Sequence, residues 1–116
     1  MEYDSLMNLI DGMASEFLFL ETREIDIPTA GKLLNSLDKI IKEADALKID
    51  QLKRVAGGLN SLLEKIVLDS IEDKEAGFKL LEKGIPLMQE IADSFKNSDG
   101  YEGDIGSFME SLAALT

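Results

Sequence analysis

The side chains of this sequence that could do chemistry are nearly all carboxylates. Twenty-three Asp and Glu stand against twelve Lys and Arg in 116 residues, with no histidine and no cysteine. Without imidazole the chain lacks the usual general base, proton shuttle and metal ligand of neutral pH. Without a thiol it forms neither a disulfide nor a thiolate nucleophile, which fits a reducing compartment. Serines are present, but a hydroxyl nucleophile needs a base beside it, and no His or Cys can partner one. Lys39, Lys42, Lys74 and Lys79 lie among acids and read as solvated ion-pairing residues. A di-metal site of the helical-bundle kind needs Glu-x-x-His pairs, which cannot be written here. A calcium loop needs alternating acidic ligands around a glycine and a late Glu. The stretch Ser98 to Asp104 holds acids and glycines, but not in that register. Gly57-Gly58, in RVAGGLNSLL, has neither the preceding strand nor the Gly-Lys-Ser/Thr ending of a phosphate loop. The pair reads as mid-helix, where each glycine costs roughly 1 kcal/mol against alanine. Close helix packing is one reason to keep it, and a flat opening for a partner is another. The chemical reading is therefore negative: not an enzyme, no cofactor, no metal.

Charge narrows the partners. The formal net charge is -11 and the sequence pI about 4.3. Such a field repels phosphate backbones and anionic lipid, so neither nucleic acid nor a membrane is expected, and a basic or neutral protein face is the better match. No apolar run approaches the roughly 20 residues of a membrane span. The opening MEYDSLMNLIDGM is acidic and interrupted by polar residues, unlike a signal peptide. A soluble cytoplasmic protein is expected, with residues 1–116 forming a single domain, long enough for a real core.

The elements that must position these side chains read as helices throughout. Leu6, Ile10, Met13, Phe17 and Leu20 draw one stripe, capped by Asp4 or Ser5. Thr22 to Ile27 reads as a connection, with Asp26 as N-cap and Pro28 in the first turn of the next helix. That helix carries Leu34, Leu37, Ile41 and Ala44 as its stripe, with Leu33 and Ile40 beside it. After a brief break at 47–50, Asp50 caps a third helix with Leu52, Val55, Leu59, Leu62 and Ile66, supported by Leu63. A fourth starts near Glu72-Asp73 and aligns Phe78, Leu81, Ile85, Met88, Ala92 and Phe95. Pro86 should bend it, with Gly84 easing the strain. Residues 97–104 are turn chemistry, and a short last helix, 105–115, carries Ile105, Phe108, Met109, Leu112 and Leu115. No period-two alternation competes. Four helices of about 18 residues, each about 27 Å long, with short loops, predict an all-α fold. The form expected is an antiparallel up-down four-helix bundle over about 4–96, with an additional short C-terminal helix across one end or side.

The segment from Leu34 to Leu52, LNSLDKIIKEADALKIDQL, resembles the central segment of histidine-containing phosphotransfer (HPt) domains of the chemotaxis-kinase type. In that family the helix runs roughly F-R-x-x-H-x-x-K-G-x-A-x-x-L-x-L before an acidic or polar cap. The stretches Leu52 to Asp69 and Glu75 to Phe95 resemble the two helices that follow, so the likeness spans Ile27 to Phe95. It implies an HPt-like domain in two-component phosphorelay signalling, with a response-regulator receiver domain or a histidine kinase as partner. Asp38 falls where the family has its phosphorylated histidine, Ile41 where it has a lysine, and Lys42 where it has a glycine. An aspartate has no imidazole nitrogen to phosphorylate, so the domain is expected to dock partners without transferring phosphate.

The docking face expected on the second helix is Asp38, Lys42 and Asp45, spaced four and three, away from the apolar stripe. Asp38 and Lys42 also suit a plain surface ion pair. The alternative is an unrelated helical bundle that oligomerises or serves as an adaptor, through its fifth helix or through an apolar patch of Phe17, Phe19 and Tyr101.

Overall fold

Apolar residues at three- and four-residue spacing make each long segment a helix with one greasy face, and the helices are stable because each covers the others' faces. The computed structural model describes residues 3–18, 27–68, 73–98, 100–101 and 103–115. It holds α1 (Asp4–Leu18), α2 (Ile27–Ala46), α3 (Asp50–Val67), α4 (Lys74–Ser98) and α5 (Gly106–Leu115). Among the described residues there is no strand, so the protein is all-α. None of these helices is long and apolar enough to cross a membrane. Leu20, Phe19, the connection at 22–26 with its Asp26 cap, and Glu72 lie outside the described residues.

The stripe of α1 is buried as expected at Leu6, Ile10, Met13 and Phe17. That of α3 holds Leu52, Val55, Leu59, Leu62 and Leu63, with Ala56 added and Ile66 only half-buried. In α4 the buried face is Phe78, Leu81, Ile85, Met88 and Ala92 with Ile91, while Phe95 is half-buried. On α2 the expected stripe holds at Leu37 and Ala44 and is off by one position at the other two. The buried residues are Ala30, Leu33, Leu37, Ile40 and Ala44, whereas Leu34 and Ile41 flank the core half-buried. The cause is the neighbours. Ser5 Oγ donates to Glu43 Oε1 at 2.7 Å, placing α1 against one edge of α2. Lys53 Nζ meets Asp45 Oδ1 at 2.8 Å, placing α3 against the other. The row midway between those edges runs through Leu33, Leu37, Ile40 and Ala44.

Each of the four long helices packs on two of the other long ones: α1 and α3 both lie against α2 and α4, and α5 adds to α3 and α4. Glycines set the closest approaches. A Cβ on Gly84 would sit 2.7 Å from Leu59 Cδ2 and 2.9 Å from Phe108 Cζ. Gly84 therefore admits α3 and α5 to the surface of α4. The helix continues from Lys74 to Ser98 with the exposed Pro86 inside it. A Cβ on Gly58 would sit 2.7 Å from Leu112 Cδ1, so α5 rests on a glycine of α3 as well. Asp73, just before α4, accepts from the Ala76 N–H at 3.0 Å and is its N-cap.

Asp50 is not a cap. It is the first residue of α3, and the N-cap position is Ile49, which makes no side-chain capping bond. The turn leaves no room for the expected arrangement. The Lys48 N–H bonds the Asp45 carbonyl at 3.2 Å and the Ile49 N–H bonds the Ala44 carbonyl at 2.9 Å, which is a Schellman closure of α2. Ile49, fully buried, ends that motif, and its carbonyl accepts from the Lys53 N–H at 3.0 Å to start α3. One residue thus closes one helix and opens the next. Asp50 instead places its charge in the first turn of α3, where the helix dipole favours it. The motif needs a left-handed residue, and Lys48 has φ 61°. A side chain in that region costs about 1 kcal/mol. Lys48→Gly is therefore expected to raise the unfolding free energy by about 1 kcal/mol in urea titration, and a loss of stability would refute this account of the turn.

Candidate docking face

Asp38, Lys42 and Asp45 are all exposed, on the side of α2 away from Leu33, Leu37, Ile40 and Ala44. Lys42 Nζ lies 3.1 Å from Asp38 Oδ2, with the two side chains 75% and 57% exposed. This is an i,i+4 surface pair of the kind worth a few tenths of a kcal/mol. Asp45 does not join it. It crosses to Lys53 on α3, and that bond together with the lysine charge holds the Asp45 carboxyl below its usual range. Lys53 is pushed up for the same two reasons, hydrogen bond first and charge second. The three residues therefore form two separate ion pairs along one edge, with Asp45 and Lys53 bridging α2 to α3.

That edge has an apolar component. Leu34 and Ile41 are half-buried and pack against the core between the charged residues. On α3, Lys53, Gly57, Asn60 and Glu64 follow at spacing four, three, four, so they share the edge that Lys53 fixes beside α2. Asn60 Nδ2 donates to Glu64 Oε1 at 3.2 Å. Gly57 is half-buried, yet a Cβ there would meet nothing within 4 Å. The two readings of Gly57-Gly58 thus separate by residue: Gly58 is close packing, and Gly57 is a shallow opening.

Among the described residues no three carboxylates gather in a way that could hold a metal ion. None of the described buried residues is polar or charged, so the described acids form a solvated surface.

The apolar patch expected from Phe17 and Tyr101 is not formed. Phe17 stacks on Phe78, ring centroids 4.8 Å apart at 30°, near the start of α4. Tyr101 follows the end of α4, where its carbonyl accepts from Gln51 Nε2 at 3.2 Å. The stretch of α4 from Phe78 to Ser98, about 30 Å at the rise of a helix, lies between the two places. Burial pushes the Tyr101 hydroxyl pKa up, with the charges of Glu90 and Asp104 adding to it. Phe19 lies outside the described residues. The fifth helix is not a free contact surface along its whole length, since Leu112 is buried against Gly58 and half-buried Phe108 packs on Gly84.

Sequence reasoning missed Lys53 as the partner of Asp45. The signal was present, because the two flank a short break between helices, where residues of adjoining turns meet. No protein-family model and no curated protein matches this chain.

Proposed function

We propose that α1 to α4 form an antiparallel up-down four-helix bundle with α5 laid across α3 and α4. We propose further that the domain is an HPt-like docking or regulatory module of two-component signalling, cytoplasmic, without phosphotransfer or other enzymatic activity. The packing of α1 and α3 each between α2 and α4, and the tight turn at Lys48, support the bundle. The observation that carries the functional reading is the placement of Asp38. The position that the resemblance aligns with the phosphorylated histidine is more than half exposed, on the outer edge of α2 beside α3. A group that must meet a partner's active site has to stand there. Half-buried Leu34 and Ile41 and the opening at Gly57 supply apolar surface between the ion pairs. A receiver domain or a histidine kinase is the partner class. Nucleic acid and anionic lipid are disfavoured by the net charge of -11.

The test is binding to purified receiver domains by calorimetry or surface plasmon resonance. Asp38→Lys combined with Asp45→Lys is expected to weaken binding about tenfold, most at low salt, because rim charges act chiefly on association rate. Glu75→Lys with Glu110→Lys, both exposed and remote from this edge, changes the net charge equally and is expected to matter less. Equal losses would leave only a general acidic field, and the docking face would have to be abandoned.

A further inference from the structure

The surface between α4 and α5 differs from the rest of this acidic chain. It forms a groove of about 390 Å³ whose rim carries Lys79 and Lys83 and whose floor is Ala76, Leu80, Ala114 and Leu115, with no acidic side chain in its lining. Lys79 and Lys83 are four apart on α4, both exposed, and neither makes an ion pair among the described residues. Three other lysines are paired, Lys42 with Asp38, Lys53 with Asp45 and Lys96 with Asp4. The groove follows α4 from Ala76 to Lys83, about 10 Å at the rise of a helix.

We infer that this groove docks an acidic amphipathic helix of a protein partner, a site separate from the α2–α3 edge. Apolar side chains at helical spacing fill the floor between Leu80 and Leu115, and Glu or Asp residues on the flanks of that helix meet Lys79 and Lys83. The charge pattern selects this occupant. Two unpaired cations over an apolar floor reward an anionic segment with apolar side chains. A nucleic acid or an anionic bilayer brings many charges into a field set by a net charge of -11, whereas a short helix brings few. A second copy of the chain meets the same repulsion.

The probe is a synthetic helical peptide of about 14 residues, four turns, with leucines at three- and four-residue spacing and glutamates beside them. Its counterpart has lysine for every glutamate. Each is titrated into the isotope-labelled chain and followed by amide chemical shifts. The acidic peptide is expected to shift Ala76, Leu80, Lys83 and Leu115 while leaving α2 unchanged. Lys79→Glu with Lys83→Glu is expected to weaken it about tenfold or more. Lys32→Glu with Lys39→Glu, exposed on α2, alters net charge equally and is expected to weaken it far less. The inference is overturned if the acidic peptide fails to bind or shifts residues elsewhere. It is equally overturned if the basic peptide binds as tightly or the two double variants lose equally. Concentration-dependent sedimentation lost with Lys79→Glu and Lys83→Glu would assign the groove to a second copy. Binding to vesicles of anionic lipid through the same lysines would assign it to a membrane, and either result replaces the helix.

Discussion

Leu59→Ala is expected to lower the unfolding free energy by roughly 2–5 kcal/mol, and Leu81→Ala by a similar amount, as for other large-to-small changes in packed interiors. Both side chains are fully buried. Leu59 has a particular reason to be costly. Its methyl groups lie over Gly84, where even a Cβ would come within 2.7 Å, and Phe108 of α5 meets the same glycine. Removing the side chain opens a cavity where three helices converge, and a rigid glycine contact cannot collapse to fill it. Ile41→Ala is the contrasting case. Ile41 is half-buried on the edge of α2, so less apolar surface is lost and no enclosed cavity is left. Urea denaturation of the three variants ranks them directly. A loss below about 1 kcal/mol at both Leu59 and Leu81, or a larger one at Ile41, would show that the buried face has been misplaced.

The misplaced residues explain how far the sequence could be read. Helix type was legible because apolar spacing of three and four is a local property, visible in Leu6, Ile10, Met13 and Phe17 without knowledge of neighbours. The facing of α2 was not. Leu33 and Leu34, like Ile40 and Ile41, are adjacent apolar residues about 100° apart around the helix. Either row makes a stripe with Leu37 and Ala44. Only the arrival of α1 at Glu43 and of α3 at Asp45 selects Leu33 and Ile40. The packing role of Gly84 was hidden for a similar reason. Its nearest feature in sequence is Pro86, but its nearest feature in space is Leu59. Asp50 had the residue type of a cap, yet the Schellman closure through Lys48 and Ile49 had already used the position before it. The exposure of Asp38, Lys42 and Asp45 was legible from the wheel. The bond from Asp45 to Lys53 was signalled only by the short break that the two residues flank, because it depends on how two helices meet. The groove between α4 and α5 was invisible for the same reason: Lys83 and Leu115 lie far apart in the chain, and only packing brings them to one surface.

If the resemblance at α2 is one of ancestry, its chemistry is open to a stepwise test. The native chain is expected to take no acid-labile, alkali-stable phosphate from a phosphorylated receiver, or from a kinase with ATP, since it contains no histidine. Labelled phosphate of that stability on the protein would contradict the argument directly. Asp38→His supplies the imidazole at an exposed position but is expected to remain a poor acceptor. Lys42, 75% exposed and 3.1 Å from the present Asp38 carboxylate, places a long side chain where the family keeps a glycine. Ile41, half-buried, occupies the place of the lysine that neighbours the phosphate in that family. A cation fixed near a transferring phosphoryl group stabilises the charge that develops on its oxygens. Adding Ile41→Lys and Lys42→Gly to Asp38→His is therefore expected to raise the rate of phosphate uptake from a receiver about tenfold or more over the single variant. The added glycine lowers helix stability by roughly 1 kcal/mol, which circular dichroism will register without loss of the fold. Efficient uptake by Asp38→His alone would show that Ile41 and Lys42 are no obstacle. Failure of the triple variant, still folded and still bound to its receiver, would detach the docking edge from any phosphotransfer geometry. The surface would then be a protein contact of another kind, and the likeness of LNSLDKIIKEADALKI to a phosphotransfer helix would reduce to the spacing that any amphipathic helix shares.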